Sequence, residues 1–131
     1  MYNVIIGYNN FSEGLIQHLS KNENTIFIID KKDKQDISIH CNKVIYNKLD
    51  ITNIDTVVNY VNKHTIDNVY VWTEDDCLNL VLGENISKVK NTIVLFNSYI
   101  MKKLTNYQYK PVHLCEIIKD YLEGDNLLCI S

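Results

Sequence analysis

Short runs of β-branched and aliphatic residues alternate with longer stretches of helical period along this chain, and that alternation restricts the fold more than any other feature. Asn3 to Gly7 (NVIIG) predicts a strand. Ser12 to Leu19 sets Leu15, Ile16 and Leu19 on one helical face, and Thr25 to Asp30 predicts a second strand. Lys31 to Asp36 reads as a charged, solvated loop before an extended run at Val44 to Tyr46. Thr52 with Asp55 makes a capping-box-like start for a helix whose Ile54, Val57, Val58 and Val61 recur at helical spacing. Val69 to Trp72 is apolar at every position, as expected of a strand covered by helices on both faces. Thr73 to Asp76 repeats the capping signature ahead of a helix through Leu78, Leu80, Val81, Leu82 and Ile86, and Thr92 to Phe96 is a further buried strand. Ser98 to Leu104 and His113 to Leu122 predict two more helices, the second after Pro111, and Leu127 to Ile130 predicts a last strand.

The order β-α-β-(loop)-β-α-β-α-β-α-α-β, with helices long enough for right-handed crossovers, predicts a doubly wound parallel sheet of about six strands in three α/β/α layers. A length of 131 residues, 46% of them hydrophobic, suits a single domain over 1–131. The net charge is −3 and all 13 cations are lysine, which argues against nucleic-acid binding through a basic field or guanidinium forks. Apolar runs of about four residues fall far short of the roughly 20 needed to cross a bilayer. The start of the chain has no signal-peptide pattern, so a cytoplasmic location is expected, without insertion into a membrane. Cys41, Cys77, Cys115 and Cys129 lack zinc-site spacing and read as reduced thiols. His18, His40, His64 and His113 are scattered, so neither a metal site nor a nucleophile–base pair is expected, and Trp72 and the nine tyrosines read as core.

In such sheets ligands bind at the carboxyl ends of strands where the order switches, here after the first and fourth strands. Gly7-Tyr8-Asn9-Asn10-Phe11-Ser12-Glu13-Gly14 lies after the first strand and opens a helix. In the G-x-G-x-x-G frame the three positions are Gly7, Asn9 and Ser12. Asn9 is expected to hold the tight turn through its tolerance of positive φ, with its side chain standing where a pyrophosphate would approach. Glu13 adds a carboxylate to the first helical turn. Asp30 ends the second strand 18 residues after Ser12, near the spacing at which an acid reaches the hydroxyls of an adenosine ribose. An aspartate there also organises a following turn, and both readings stay open. Lys31 and Lys32 offset its charge, so NADP is not excluded beside a diol-bearing nucleotide.

These residues resemble the TrkA-N or RCK nucleotide-binding domain, the cytosolic regulator of potassium channels and transporters. The family's apolar run and G-x-G-R-F-G are echoed by Ile5-Ile6-Gly7-Tyr8-Asn9-Asn10-Phe11-Ser12, with Asn10 in place of the arginine. Its G-D-A-T-D segment is matched by Leu49-Asp50-Ile51-Thr52-Asn53, and its T-x-D-D-x-x-N-L-L segment by Thr73-Glu74-Asp75-Asp76-Cys77-Leu78-Asn79-Leu80-Val81. The resemblance implies a Rossmann-like fold and a non-catalytic, regulatory lobe that binds NAD or NADH, or alternatively ATP, ADP or AMP, without a metal. It places Gly7, Tyr8, Asn9, Asn10, Phe11 and Ser12 around the phosphates. Asp30 and Lys31 stand at the ribose edge, and Asp50, Ile51, Thr73, Glu74 and Asn79 complete the set, with Asp50 and Thr73 beside adenine and ribose. It also implies a homo-oligomer, a dimer or larger, peripheral to a potassium channel or transporter subunit; against the family's two-lobe pattern the chain reads as a lone nucleotide lobe, either a piece of a longer protein or a minimal relative.

Two other readings remain. Leu49 to Asn53, the helix after it and the strand Asp67 to Trp72 also resemble short-chain dehydrogenases and epimerases. Those enzymes use a Y-x-x-x-K pair on a later helix, which is not expected in this chain, and a substrate region for which it is too short. A third reading keeps the fold as an interaction module that has lost its ligand, with Tyr99, Ile100 and Met101 as its contact surface.

Overall fold

The computed structural model describes residues 1–33, 43–104 and 108–123. In these, six strands, β1 (Tyr2–Ile6), β2 (Thr25–Asp30), β3 (Val44–Lys48), β4 (Asn68–Val71), β5 (Asn91–Phe96) and β6 (Lys110–His113), are interleaved with five helices. The helices are α1 (Asn10–Ser20), α2 (Ile54–Lys63), α3 (Asp76–Ile86), α4 (Tyr99–Leu104) and α5 (Leu114–Glu123). The strands form one all-parallel sheet in the order β3-β2-β1-β4-β5-β6. This is the doubly wound arrangement expected from the alternation, and its order reverses between β1 and β4.

Alternation along each strand explains the two cores. Ile5, Ile28, Trp72 and Leu95 point to the face covered by α1 (Leu15, Leu19) and α5 (Ile117). Val4, Ile6, Val71, Val94 and Phe96 point to the face covered by α2 (Val57, Val61) and α3 (Leu82, Ile86). Both faces are apolar, so the central strands read as unbroken hydrophobic runs, and each fully buried aliphatic side chain contributes about 1.5–3 kcal/mol. Gly83 lets α3 sit close on the sheet: a Cβ there would lie 2.6 Å from Val94 Cγ2.

The sequence reading departs from the structure at β6 and at the N-caps of α2 and α3. A strand, β6, occupies Lys110–His113 and includes Pro111, where only a helix start is expected; an edge strand tolerates a residue without an N–H. The strand expected at Leu127 to Ile130 lies outside the described residues, as do Cys41, Cys129, His40 and positions 34–36 of the charged loop. The N-cap of α2 is Asn53, whose Oδ1 accepts from Thr56 N at 3.2 Å, and not Thr52. Likewise Asp75 rather than Thr73 caps α3, accepting from Cys77 N at 2.9 Å and Leu78 N at 3.1 Å.

Candidate functional site

The connections after β1 and β4 lead to helices on opposite faces of the sheet, so the carboxyl ends of these neighbouring strands open into a cleft. Its volume is about 360 Å³, and it is lined by Gly7, Tyr8, Asn9, Asp30, Lys31, Lys32, Ile51, Thr52, Thr73, Glu74, Asp75 and Leu78. Four loops contribute, one after each of β1, β2, β3 and β4.

Gly7 has φ +102° and is the only described residue with positive φ. A Cβ on it would lie 2.9 Å from Trp72 O and 3.1 Å from Thr73 N, so both conformation and close approach to the end of β4 require glycine. The expectation for Asn9 is corrected here. Its φ is −154°, ordinary extended backbone, because it is the N-cap of α1 and Gly7 alone makes the turn. Asn9 Oδ1 accepts from Phe11 N at 2.9 Å and Ser12 N at 3.2 Å, while its Nδ2 donates to Trp72 O at 2.7 Å. Ser12 Oγ accepts from Asn9 N at 3.3 Å and donates to Gly7 O at 2.6 Å. Asn10 is exposed, Phe11 packs on the α1 core face, Ser12 is buried, and none of the three lines the cleft.

Asp30 is 6% exposed, and its two carboxylate oxygens are tied to different loops. Oδ2 accepts from Tyr8 N at 2.7 Å and Oδ1 from Lys31 N at 2.6 Å, so Asp30 joins the glycine loop to the end of β2 and also organises its own turn. Each carboxylate oxygen has acceptor capacity beyond these bonds, and Asp30 lines the cleft. Tyr46 hydroxyl donates to Asp30 O at 2.9 Å, fixing the strand end from β3. Lys32 Nζ donates to Tyr8 O and lies 5.8 Å from the Tyr8 ring centroid, placing its charge over the loop. Tyr8 hydroxyl in turn donates to Glu13 Oε1 at 3.0 Å.

On the β3 side Asp50 is fully exposed and outside the cleft lining. Its Oδ1 accepts from Thr52 Oγ1 at 2.6 Å and Thr52 N at 3.1 Å, and these two bonds hold its carboxyl below the ordinary aspartate range. On the β4 side Asn79 is 0% exposed. Its Nδ2 donates to Thr73 O and Leu95 O, both at 2.9 Å, and its Oδ1 accepts from Thr73 N at 3.2 Å and from Thr73 Oγ1. Asn79 therefore brackets the ends of β4 and β5 and positions Thr73 in the cleft wall without facing the cleft itself.

Comparison with solved structures finds the same architecture in proteins of low sequence identity. The NAD(P)-binding domain of an exopolyphosphatase-related protein from Archaeoglobus fulgidus superposes with a TM-score of 0.69 at 17% identity, over 93% of this chain and 94% of that one. The fold is Rossmann-like. The GsuK channel bound to NAD matches with a TM-score of 0.69 at 13% identity, over 92% of this chain but 23% of its own. The Shewanella denitrificans Kef CTD in its AMP-bound form gives 0.63 at 16% identity, over 100% and 83%. At these identities the matches show the shared fold. Enzymes share the fold as well, among them Bordetella bronchiseptica WbmH in complex with NAD+. No protein-family model and no curated protein matches the chain.

A Rossmann-like site holds the nucleoside at the ends of the first strands and the pyrophosphate at the first helix N-terminus. The nucleoside half fits: Ile51 and Leu78 offer apolar surface, and Asp30, Thr52 and Thr73 offer polar groups around one cleft. The pyrophosphate half does not fit, because Asn9 Oδ1 already occupies two helix amides. Of the residues expected around a nucleotide, Gly7, Tyr8, Asn9, Asp30, Lys31, Ile51, Thr73 and Glu74 line the cleft, whereas Asn10, Phe11, Ser12, Asp50 and Asn79 do not. Lys32, Thr52, Asp75 and Leu78 join the lining without having been in the expected set. Leu78 is the one with least signal, since an apolar residue in the first turn of a helix reads as core.

Tyr99 and Lys103 do stand four apart on α4, at the Y-x-x-x-K spacing, so that pair is present after all. Neither lines the cleft, and Lys103 Nζ lies 4.6 Å over the Tyr99 ring. Among the described residues no three His, Cys, Asp or Glu side chains group to hold a metal ion, and no helix is long and apolar enough to cross a membrane. Cys77 and Cys115 are exposed free thiols.

Proposed function

We propose that the chain is a non-catalytic, regulatory lobe that binds an adenine nucleotide across the ends of β1 and β4. In this reading it acts as a cytoplasmic homo-oligomer in a potassium channel or transporter system. The observation that carries the reading is the cleft at the β1/β4 switch, where the Gly7 turn, the buried Asp30 and the Thr73–Asp75 segment converge from three loops. Support for regulation comes from the neighbours with bound NAD, ADP or AMP that are named as a channel or as Kef CTD. Regulation requires two conformations with different affinity for the ligand, since equal affinity shifts nothing.

The test is thermal unfolding with NAD, NADH, ATP, ADP and AMP, compared with Thr52→Trp. Thr52 is exposed and lines the cleft, so an indole there fills the site without opening the core. A ligand at about 100 times its Kd adds roughly 2.7 kcal/mol, a rise of several degrees for a domain of this size. Stabilisation that Thr52→Trp removes is the expected result. No stabilisation by any nucleotide refutes the reading and favours the ligand-free interaction module, for which exposed Tyr99 and Ile100 on α4 are the contact candidates. Asp30→Ala is the poorer control, because Asp30 holds two backbone amides and its loss disturbs the fold.

A further inference from the structure

We propose, resting on the nucleotide reading above, that this site recognises the adenine nucleoside alone and that the 5′-phosphates of a nucleotide contribute no affinity. In a doubly wound fold those phosphates are received by the free amides and positive dipole end of the first helix. Here the chain's own side chains have taken that place. Asn9 Oδ1 accepts from Phe11 N and Ser12 N at 2.9 and 3.2 Å, and Asn9 Nδ2 reaches across the β1/β4 gap to Trp72 O at 2.7 Å. Ser12 Oγ closes the same turn from inside, against Gly7 O at 2.6 Å. A phosphate arriving at the helix must detach Asn9 from three partners to gain two amides. It then meets Glu13, whose carboxylate is held in the first turn of α1 by Tyr8 hydroxyl at 3.0 Å.

The cations do not reverse this. Lys31 and Lys32 follow β2, at the ribose edge of the cleft, and Lys32 is already bound to Tyr8 O. The surfaces left for a ligand are the Asp30 carboxylate, the Thr52 and Thr73 hydroxyls and the apolar sides of Ile51 and Leu78. These suit a ribose and a flat heterocycle better than a phosphate chain. The second and third glycines of the fingerprint have thus been replaced by side chains that do the phosphate's hydrogen bonding from within.

Calorimetric titration of the whole chain with adenosine, ADP and NAD tests this through the ratio of Kd for adenosine to Kd for each phosphate-bearing ligand. In the wild type the ratio is expected near one. In Asn9→Gly, which frees Phe11 N while Ser12 N keeps its bond to the residue-9 carbonyl, it is expected to rise about tenfold, the value of one charge-assisted hydrogen bond. ADP or NAD binding about tenfold tighter than adenosine in the wild type overturns the proposal, and that comparison needs no variant to fold. An unchanged ratio in folded Asn9→Gly overturns it too, by showing that Asn9 is not the obstruction. If adenosine, ADP and NAD all fail to bind, the nucleotide reading itself falls and takes this proposal with it.

Discussion

Replacing Asn79 by leucine removes a buried side chain that ties the ends of β4 and β5 behind the cleft. Leucine keeps the branching and the number of side-chain heavy atoms, but its methyl groups are bulkier, so overpacking adds to the polar loss. Four hydrogen bonds disappear: two donated to Thr73 O and Leu95 O, and two accepted from Thr73 N and Thr73 Oγ1. At a net value near 1 kcal/mol each, offset by the apolar gain of leucine, the cost is about 3 kcal/mol. Asn79 is 0% exposed, so water does not replace the lost partners. In a domain of this size that lowers Tm by roughly 10 °C, and urea unfolding should show a reduced midpoint with an unchanged slope. Asn79→Asp should cost more, because a carboxylate oxygen would then face two carbonyls. An Asn79→Leu loss below about 1 kcal/mol at constant slope would refute the bracket, since so small a change means the strand ends find other partners.

Two further outcomes follow from the same loops. Gly7→Ala should cost about 2–4 kcal/mol by thermal denaturation, combining a φ of +102° with a Cβ only 2.9 Å from Trp72 O; a Tm equal to wild type means the turn relaxes freely. Asp50 should titrate below the ordinary aspartate range because Thr52 donates two hydrogen bonds to its carboxylate. A depressed folded pKa gives stability that is present in full above the unfolded value, about 3.9, and lost as pH falls through the folded one. Carboxyl-detected NMR of Thr52→Val should show the Asp50 titration moving up toward the ordinary range, and an unmoved curve removes Thr52 as the cause.

The alternation of period two and period 3.6 was enough to place the first five strands and the β1/β4 switch, because strands buried on both faces admit few polar residues and their helices need an apolar stripe. β6 escaped notice for the opposite reason: an edge strand of four residues carrying Pro111 has neither length nor continuous hydrophobicity to announce it. Gly7 was legible because no other residue tolerates its backbone. The roles of Asn9, Asp30 and Asn79 were not, since each is an ordinary polar letter whose meaning depends on which distant atom it meets. Asn9 finds Trp72 O across 63 positions, Asp30 finds Tyr8 N across 22, and Asn79 finds Leu95 O across 16. Spacing along the chain reports none of these partners.

The polar ties also bear on how ligand and stability are linked. A glycine-rich phosphate loop leaves helix amides to be satisfied by water or ligand, so the empty domain forgoes hydrogen bonds that the ligand restores. Here Asn9 Oδ1 supplies bonds to Phe11 N and Ser12 N permanently, and Ser12 Oγ accepts from Asn9 N. Asn→Gly at an N-cap costs only a few tenths of a kcal/mol, but losing the bond to Trp72 O as well brings the cost to about 1–1.5 kcal/mol. Asn9→Gly should therefore be the less stable protein without ligand and the one that gains more from a phosphate. Stability and phosphate recognition compete for the same two amides at the start of α1, and in this chain the competition has gone to stability.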